Sequence, residues 1–487
     1  MNNDIEYENR QIIPRWVPFK DSCLLNQLFV FNSAEPNQLE LYNYKKIIKD
    51  WESNKSLSYA IELIAASHIL GMPEYSEYRE AVTLIIADKN KNTFVNSILG
   101  KVDDFQCSCA DSKNEIVYRA NIHKIRLRLN QTPEDAILWI DLAYYYLLSG
   151  NIKKAEKCIN ISLNINSENY HIIRSAARFY VFLEEPEKAL YLLRKAASLK
   201  TNPLVLASEI SISEAFDLRS KNIKNASAMI ESAKFSDTIL SELLGTLATL
   251  EFNTGASKKG KKLLEKSLIA PNENTIAQIQ FLSKKFDGSF DPTKFHVPCR
   301  YEADAWNLYQ QQNYYLALDQ AEKWFYFQPF SSRSAILYSY LQISIFEDEK
   351  KALSLIDSAL CLSPDDFALL NNKAVALARS GDTDGAKHIS LLFESRTDIE
   401  EEDKSIIKAT CGLIAFREGE PERGRLLYKE AINEFKSTNQ VIRECRAYYY
   451  LAQEEKRINC SDNERYFSLA REIAIKNNIK DIILKFA

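Results

Sequence analysis

Glycine and proline are scarce in this sequence, with 12 and 13 among 487 residues. This scarcity argues against a disordered chain, a collagen-like chain and a loop-rich β fold, all of which use these residues heavily. No apolar run approaches the ~18 residues that a membrane-spanning helix needs. The N-terminus, MNNDIEYENRQIIPRW, is polar and acidic and lacks the apolar core of a secretory signal. We therefore expect a folded, soluble, cytoplasmic protein with no membrane contact.

An excess of charge of one sign is also lacking. The 62 Lys and Arg residues nearly balance the 66 Asp and Glu residues, which leaves a net charge of −4. Nothing global therefore attracts the chain to nucleic acid or to anionic lipid. The nine cysteines are scattered without the spacing of a disulfide framework, which indicates reduced thiols in a reducing compartment. The Asn-, Ile- and Lys-rich composition suggests an AT-rich genome and a bacterial source.

Signatures of catalysis and of metal binding are missing from the sequence. It contains no G-x-S-x-G nucleophile elbow, no H-E-x-x-H pair and no G-x-G-x-x-G fingerprint. The possible ligand groups are Cys107, Cys109 and His123, and His296 with Cys299, whereas a structural zinc site normally needs four ligands. We expect free thiols and ordinary loop residues there, and hence no metal, no cofactor, no catalytic residue and no enzymatic activity.

A phosphate-loop match occurs at Gly255–Lys261, where the residues fit G-x-x-x-x-G-K. The next residue is Lys262, although Mg²⁺ binding in such loops requires a Ser or Thr hydroxyl at this position. The residues before it, LSELLGTLATLEFNT, have a helical pattern, whereas a phosphate loop follows a strand. The match therefore predicts a turn between two helices.

A repeat of about 34 residues is the most informative pattern that is present. In its clearest copy, at 136–169, Trp139, Leu142, Ala143 and Tyr146 fall on one face of a helix. Gly150 follows, where a tight turn can require a positive φ angle. The second helix of this copy is marked by Ile152, Ala155, Ile159 and Leu163.

This pattern resembles the tetratricopeptide repeat, in which a large–Leu–small–Tyr run in the first helix is followed by Gly and an Ala-containing second helix. Degraded copies follow over 133–270 and 301–475, and Gly stands at the close-packing position of the first helix at Gly412. A helix pair of this kind cannot bury its apolar face alone and needs a neighbour to stack on. The resemblance implies an all-α fold, an α-solenoid of stacked antiparallel helix pairs, with an N-terminal helical cap region.

The domain organisation follows from where the repeat begins and lapses. Residues 1–130 lack it, and their apolar periodicity, in LSYAIELIAASHILG and YREAVTLIIADKN, predicts a helical region of unknown role. Near the start, IIPRWVPF is expected to be extended, because Pro14 and Pro18 bias the residues before them away from helix. Repeats are predicted at 131–271 and at 301–487, with a C-terminal capping helix, and an irregular connector at 272–300.

The resemblance also implies where a partner would bind, because the first helix of each tetratricopeptide pair lines the concave groove. This mapping gives the groove candidates Tyr144, His171, Arg174, Arg178, Asn371, Arg379 and Arg417. An arginine pair one turn apart, such as Arg174 and Arg178, could pair with a carboxylate or a phosphate. The aromatic run Trp324–Phe330 ends a second helix, so we expect at least half of it to be buried. The primary prediction is a non-catalytic scaffold or regulator that binds another protein or an extended peptide.

Two alternatives remain open at this stage. A basic patch of Lys258, Lys259, Lys261 and Lys262 could contact nucleic acid, and such binding would weaken steeply with salt. An enzyme with an active site in residues 1–130 is the other alternative. The sequence leaves the oligomeric state open.

Overall fold

In the computed structural model, the described residues are 15, 16, 18, 38–69, 76–87, 115–232, 234–283, 290–396 and 401–486. Within these ranges the chain forms 24 α-helices and no strand, so the predicted all-α class is confirmed. The described residues divide into two compact units. The N-terminal unit contains those up to Asn307 together with Tyr326–Phe330, and the C-terminal unit contains Leu308–Phe325 and those from Ser331 onward.

The N-terminal unit is built from thirteen complete helices and the start of a fourteenth. They are α1 (Gln38–Ser53), α2 (Leu57–Ile69), α3 (Ser76–Ala87), α4 (Glu115–Gln131), α5 (Ala136–Leu148), α6 (Ile152–Ile165), α7 (Tyr170–Phe182), α8 (Pro186–Lys195), α9 (Pro203–Ala215), α10 (Ile223–Glu231), α11 (Asp237–Asn253), α12 (Ser257–Ser267), α13 (Glu273–Ser283) and α14 (Tyr301–Gln310).

The C-terminal unit contains the end of α14 and most of α15 (Tyr314–Phe327). Its helices are α16 (Ser332–Leu341), α17 (Glu349–Leu360), α18 (Phe367–Ser380), α19 (Thr383–Ser395), α20 (Glu401–Arg417), α21 (Pro421–Ser437), α22 (Val441–Arg457), α23 (Asn463–Asn477) and α24 (Lys480–Leu484). Neighbours along the chain pack as pairs, such as α18 with α19, α20 with α21 and α22 with α23.

The helix pair predicted at 136–169 is confirmed as α5 and α6. The Asp135 side chain accepts hydrogen bonds from the backbone N–H groups of Ile137 and Leu138, which satisfies donors that the first turn of α5 leaves free. Gly150 ends the helix at a φ of +72°, a left-handed conformation that favours glycine. The Ser162 hydroxyl of α6 donates to the carbonyl of Ala136 at 2.7 Å and joins the two helices.

The first helices of successive pairs also contact one another. In the N-terminal unit these are α5, α7, α9, α11 and α13, and each contacts the next, so we call them the first-helix layer. In the C-terminal unit α16, α18, α20 and α22 are in contact in the same way. Two helices of a pair approach closely at Gly412 of α20 and Gly424 of α21, where a Cβ atom on Gly424 would lie 2.9 Å from the carbonyl oxygen of Gly412.

The expected connector at 272–300 is only partly irregular, because α13 occupies Glu273–Ser283. Asn272 accepts a hydrogen bond from the backbone N–H of Thr275 at the start of this helix. Nearly every side chain of α13 is buried, polar ones included, so the helix lacks the one-sided apolar period by which the prediction recognised helices. After it, only a short 3₁₀ turn at Pro292–Lys294 interrupts irregular backbone between residue 290 and α14.

The helical region predicted in residues 1–130 is confirmed for the described part, which forms α1, α2, α3 and α4. Arg15, Trp16 and Pro18 lie outside any helix, as the flanking prolines predict. The aromatic run is mostly buried, as expected, at Trp324, Phe325, Phe327 and Phe330.

Candidate functional site

An aromatic cluster lies on the first-helix layer of the N-terminal unit. Trp16 is at its centre, only 2 % exposed. Its ring lies 5.5 Å from that of Tyr144 on α5 and 6.3 Å from that of Phe179 on α7, both edge-on. On the remaining side the ring of Phe330 lies 5.3 Å away, tilted by 32°. Edge-on pairs at such distances are favourable beyond the area that they bury, so the cluster holds Trp16 in a defined orientation.

The groove candidates Tyr144 and Arg178 both contact Phe330, which is far away in sequence. The rings of Tyr144 and Phe330 are 5.1 Å apart in an edge-on arrangement. The Arg178 guanidinium donates a hydrogen bond to the carbonyl oxygen of Phe330 at 2.7 Å. Two segments that belong to no helix of the layer, residues 15–16 and residue 330, therefore contact side chains of its first helices.

The residue before Trp16, Arg15, places its guanidinium group in a polar site. Arg15 donates from Nη1 to Oδ1 of Asn274 at 2.9 Å and from Nη2 to Oε2 of Glu302 at 2.5 Å. The side chains of Arg15 and Glu302 are 5 % and 4 % exposed, so this ion pair is removed from water. Burial raises the pKa of the neighbouring Glu273 to about 7, with the Arg15 charge lowering it and the Glu242 carboxylate raising it.

The groove candidate Arg174 is part of the same polar network. It pairs with Glu242 of α11 at 2.6 Å and donates to the hydroxyl of Ser208 at 2.9 Å. The Glu242 carboxylate also accepts from Asn272 at 2.7 Å and from Asn274 at 3.0 Å. Asn274 thus joins the ion pair of Arg15 and Glu302 to the ion pair of Arg174 and Glu242. These five side chains are buried or half-buried and fix one another's positions.

The groove candidate His171 is buried at the start of α7. Burial, and next to it the charge of Arg174, lowers the pKa of His171 to about 3. The imidazole is therefore neutral across the physiological pH range.

The three groove candidates in the C-terminal unit bind neighbouring helices of that unit. Asn371 accepts from the hydroxyl of Thr410 at 2.7 Å. Arg379 pairs with Glu349 at 2.9 Å and donates to the carbonyl of Ile343 at 3.0 Å. Arg417 pairs with Glu454 at 2.7 Å. These side chains join adjacent helix pairs, and whether they also contact a partner stays a prediction.

The predicted basic patch lies on α12, where Lys258, Lys259, Lys261 and Lys262 are all exposed. Lys259 pairs with Glu251 at 2.6 Å. The phosphate-loop match begins in the expected turn between α11 and α12, with Gly255 at a φ of +83°, and continues into α12. Gly260 lies within α12, where a Cβ atom would clash with the ring of Phe252 at 2.9 Å.

No group of three or more potential metal ligands occurs among the residues that the structure describes. His123 and His296 are exposed, whereas Cys299 is buried. Cys107 and Cys109 lie outside the described residues. No helix in the described ranges has the length and apolarity required to cross a membrane.

Sequence reasoning missed the acidic side of this site, namely Glu242, Glu273 and Glu302, together with Asn274 and Trp16. One signal was available for Glu242, which is the only charged residue in the run ILSELLGTLATL of its helix. For Trp16 the flanking prolines indicated an extended segment but not the surface that it contacts.

The fold and the site define an all-α protein of stacked, tetratricopeptide-like helix pairs. No protein-family model matches the chain, and no curated protein sequence matches it. Similar solved structures include the human IFIT1 dimer with PPP-AAAA, at 14% identity and a TM-score of 0.32, covering 90% of this chain and 96% of that chain. Yeast Tom70 is 14% identical with a TM-score of 0.31, covering 77% and 94%. The Cut9–Hcn1 hetero-tetramer of APC/C is 12% identical with a TM-score of 0.39, covering 89% and 91%. The helix pairs and their contacts described above, and not these low TM-scores, define the fold.

Proposed function

We propose that this protein is a non-catalytic scaffold that binds an extended segment of another protein on its first-helix layer. The observation that carries the proposal is the position of Trp16 and Phe330. Both come from segments outside the layer, and both contact side chains of α5 and α7. A surface that holds non-helical segments of its own chain has the shape and polarity to hold one from a partner.

The mechanism of binding would be preorganisation. Arg174 and Glu242 already fix each other at 2.6 Å, and Asn274 joins this pair to the next one. Side chains that are fixed before binding lose little conformational entropy when a partner arrives, so more of the contact energy appears as affinity. The free thiols of Cys158, Cys361 and Cys460 support a reducing compartment. We place the protein in a bacterial cytoplasm as an adaptor or regulator.

A peptide-display selection tests this function on the purified full chain. We expect selected peptides to bind at least 10-fold more weakly to Arg178→Glu than to the wild type, because Arg178 lies on α7 beside the aromatic cluster. Lys195→Glu is the matched control, since Lys195 is exposed on the second helix α8. It should change the dissociation constant by less than 2-fold. Isothermal titration calorimetry gives the constants, and circular dichroism verifies folding of both variants.

Selected peptides that bind Arg178→Glu and the wild type equally would contradict the proposal.

The basic patch on α12 leads to a different prediction, which can be tested on the same purified chain with an oligonucleotide. Nucleic-acid binding through phosphate contacts of these four lysines should weaken by roughly 10²-fold between 50 and 200 mM salt. Binding of that kind, lost in a Lys258→Glu, Lys262→Glu variant, would favour the nucleic-acid alternative.

A further inference from the structure

We infer that the first-helix layer of the N-terminal unit has a two-part recognition site for an arginine followed by an aromatic residue, and that Arg15 and Trp16 occupy this site as a ligand in cis. The inference rests on the proposed function and deepens it, because it names the chemistry of the partner. The partner would be an extended segment with the same Arg–aromatic pair, which must displace Arg15 and Trp16 to bind.

The first part of the site requires a cation. Glu242 is neutralised by Arg174 at 2.6 Å, whereas Glu302 is paired with Arg15. Without Arg15, the buried Glu302 would lose this ion pair, and the buried Glu273 would lose the larger of the two positive charges that lower its pKa. Loss of the Arg15 charge beside these two buried carboxyl groups is unfavourable, so the site favours an occupant with a positive charge.

The geometry favours arginine over lysine in this part. Two different nitrogens of one guanidinium reach two acceptors on different helices, Asn274 on α13 and Glu302 on α14. A lysine ammonium is a single compact charge and cannot present two donors at this separation in one plane. In addition, Oε2 of the buried Glu273 has no hydrogen-bond partner in the described part of the chain, so the site has acceptor capacity left.

The second part of the site recognises a ring. The rings of Tyr144, Phe179 and Phe330 all contact Trp16, at centroid distances of 5.3 to 6.3 Å. The indole Nε1 of Trp16 is buried and makes no hydrogen bond to any described residue. Since the cluster gives no partner to the indole N–H group, it selects for an aromatic face rather than for tryptophan. Phenylalanine should therefore be accepted in place of tryptophan.

The two parts together define an order along the peptide. Arg15 and Trp16 are consecutive, yet the first contacts α13 and α14 whereas the second contacts α5, α7 and Phe330. Neighbouring side chains of an extended backbone point in opposite directions, which suits two separate subsites. Because the cis ligand is covalently attached, its effective concentration is in the millimolar range or above, and it would compete with a partner segment.

The test uses the full chain with the cis ligand removed, as the double variant Arg15→Ala, Trp16→Ala. The probe is a fluorescein-labelled synthetic peptide with the sequence of residues 10–20, and fluorescence anisotropy gives its dissociation constant. We expect the double variant to bind this peptide at least 10-fold more tightly than the wild type does. A peptide with Arg15→Glu should bind the double variant at least 10-fold more weakly, and one with Trp16→Phe within about 5-fold.

A matched pair of receptor variants locates the site. Added to the double variant, Glu302→Gln should weaken peptide binding by at least 10-fold, because it removes the carboxylate that pairs with the arginine. Glu187→Gln, an exposed carboxylate on the second helix α8, should leave binding unchanged. If the double variant does not fold by circular dichroism, the single variant Arg15→Lys replaces it, with an expected gain in peptide binding of at least 3-fold over the wild type.

A folded double variant that does not bind the peptide would overturn the inference, as would equal binding by the wild type. Equal binding of the Arg15→Glu peptide would overturn the arginine part. If the peptide with the sequence of residues 10–20 does not bind, while binding of the display-selected peptides still depends on Arg178, the Arg–aromatic inference is wrong and the proposed function stands. If both kinds of peptide fail, the proposed function is wrong as well.

Discussion

Replacing Arg425 with methionine is expected to lower the free energy of unfolding by about 3–5 kcal/mol, because it leaves a buried carboxylate without its partner. Arg425 of α21 contacts both carboxylate oxygens of Glu455 on α22, at 2.5 and 2.9 Å. The Glu455 side chain is 0 % exposed and that of Arg425 is 17 % exposed. Methionine keeps much of the apolar stem, so the loss reports the charge rather than the packing. Urea denaturation of the full chain followed by circular dichroism measures it.

The chain offers a matched control two residues earlier on the same helix. Arg423 pairs with Glu420 at 3.1 Å, and both side chains are more than half exposed. Exposed pairs of this kind contribute about 0–1 kcal/mol, so Arg423→Met should have little effect. Combining Arg425→Met with Glu455→Leu should recover most of the lost stability, since the unpaired Glu455 carboxylate is then removed as well. If Arg425→Met and Arg423→Met destabilise equally, the buried ion pair does not stabilise the α21–α22 contact as described.

A second large effect is expected from Glu62→Gln, and it should depend on pH. Burial first, and the negative charges of Asp50 and Asp135, raise the pKa of Glu62 on α2 from 4.5 to about 8. The Asn169 side chain donates to its carboxylate at 3.0 Å, a bond that the glutamine carbonyl can also accept. A rise from 4.5 to about 8 in the pKa on folding corresponds to a cost of about 4–5 kcal/mol once the folded group is ionised.

The direction of this effect follows from proton binding. Below pH 4.5 Glu62 is protonated in both the folded and the unfolded chain, and its contribution to the free energy of unfolding is fully present. As the pH rises from 4.5 to about 8, the unfolded chain loses this proton first, so the wild type loses stability over this range. Glu62→Gln should therefore be about 4 kcal/mol more stable than the wild type at pH 9 and similar to it at pH 4.5. Chemical denaturation at both pH values measures the difference.

The control for this prediction is Glu52→Gln, an exposed carboxylate on α1. It should leave the pH profile of the wild type unchanged. A Glu62→Gln profile that runs parallel to that of the wild type from pH 4.5 to 9 would contradict the assigned burial of Glu62.

The helix pairs could be predicted from the sequence wherever one face of a helix remains polar. The pair α5–α6 was found through the period of Leu142 and Ala143 and the turn at Gly150, and the structure has it at those residues. The helix α13 was missed because Asn274 and Gln278 are buried along with its apolar residues. A helix that is surrounded on all sides has no contrast between its faces, and periodicity cannot reveal it.

The candidate site could be predicted only in part. The first-helix mapping located Arg174 and Arg178, but it treated them as free to bind a partner. The structure places Glu242 against Arg174, although 68 positions separate the two in the sequence. Such pairs depend on how successive repeats stack, which no local pattern encodes. The same holds for Trp16, whose neighbours in the folded unit come from α5, α7 and residue 330.

Photocrosslinking from position 16 tests the central claim most directly. In the full chain, Trp16→p-benzoylphenylalanine places a photoreactive ring where the indole lies against Tyr144, Phe179 and Phe330. After irradiation and proteolysis, mass spectrometry should find intramolecular crosslinks to α5, to α7 and to the segment around Phe330. Crosslinks to the second helices α6 and α8 instead, or only between separate molecules, would contradict the claim that the first-helix layer holds this segment.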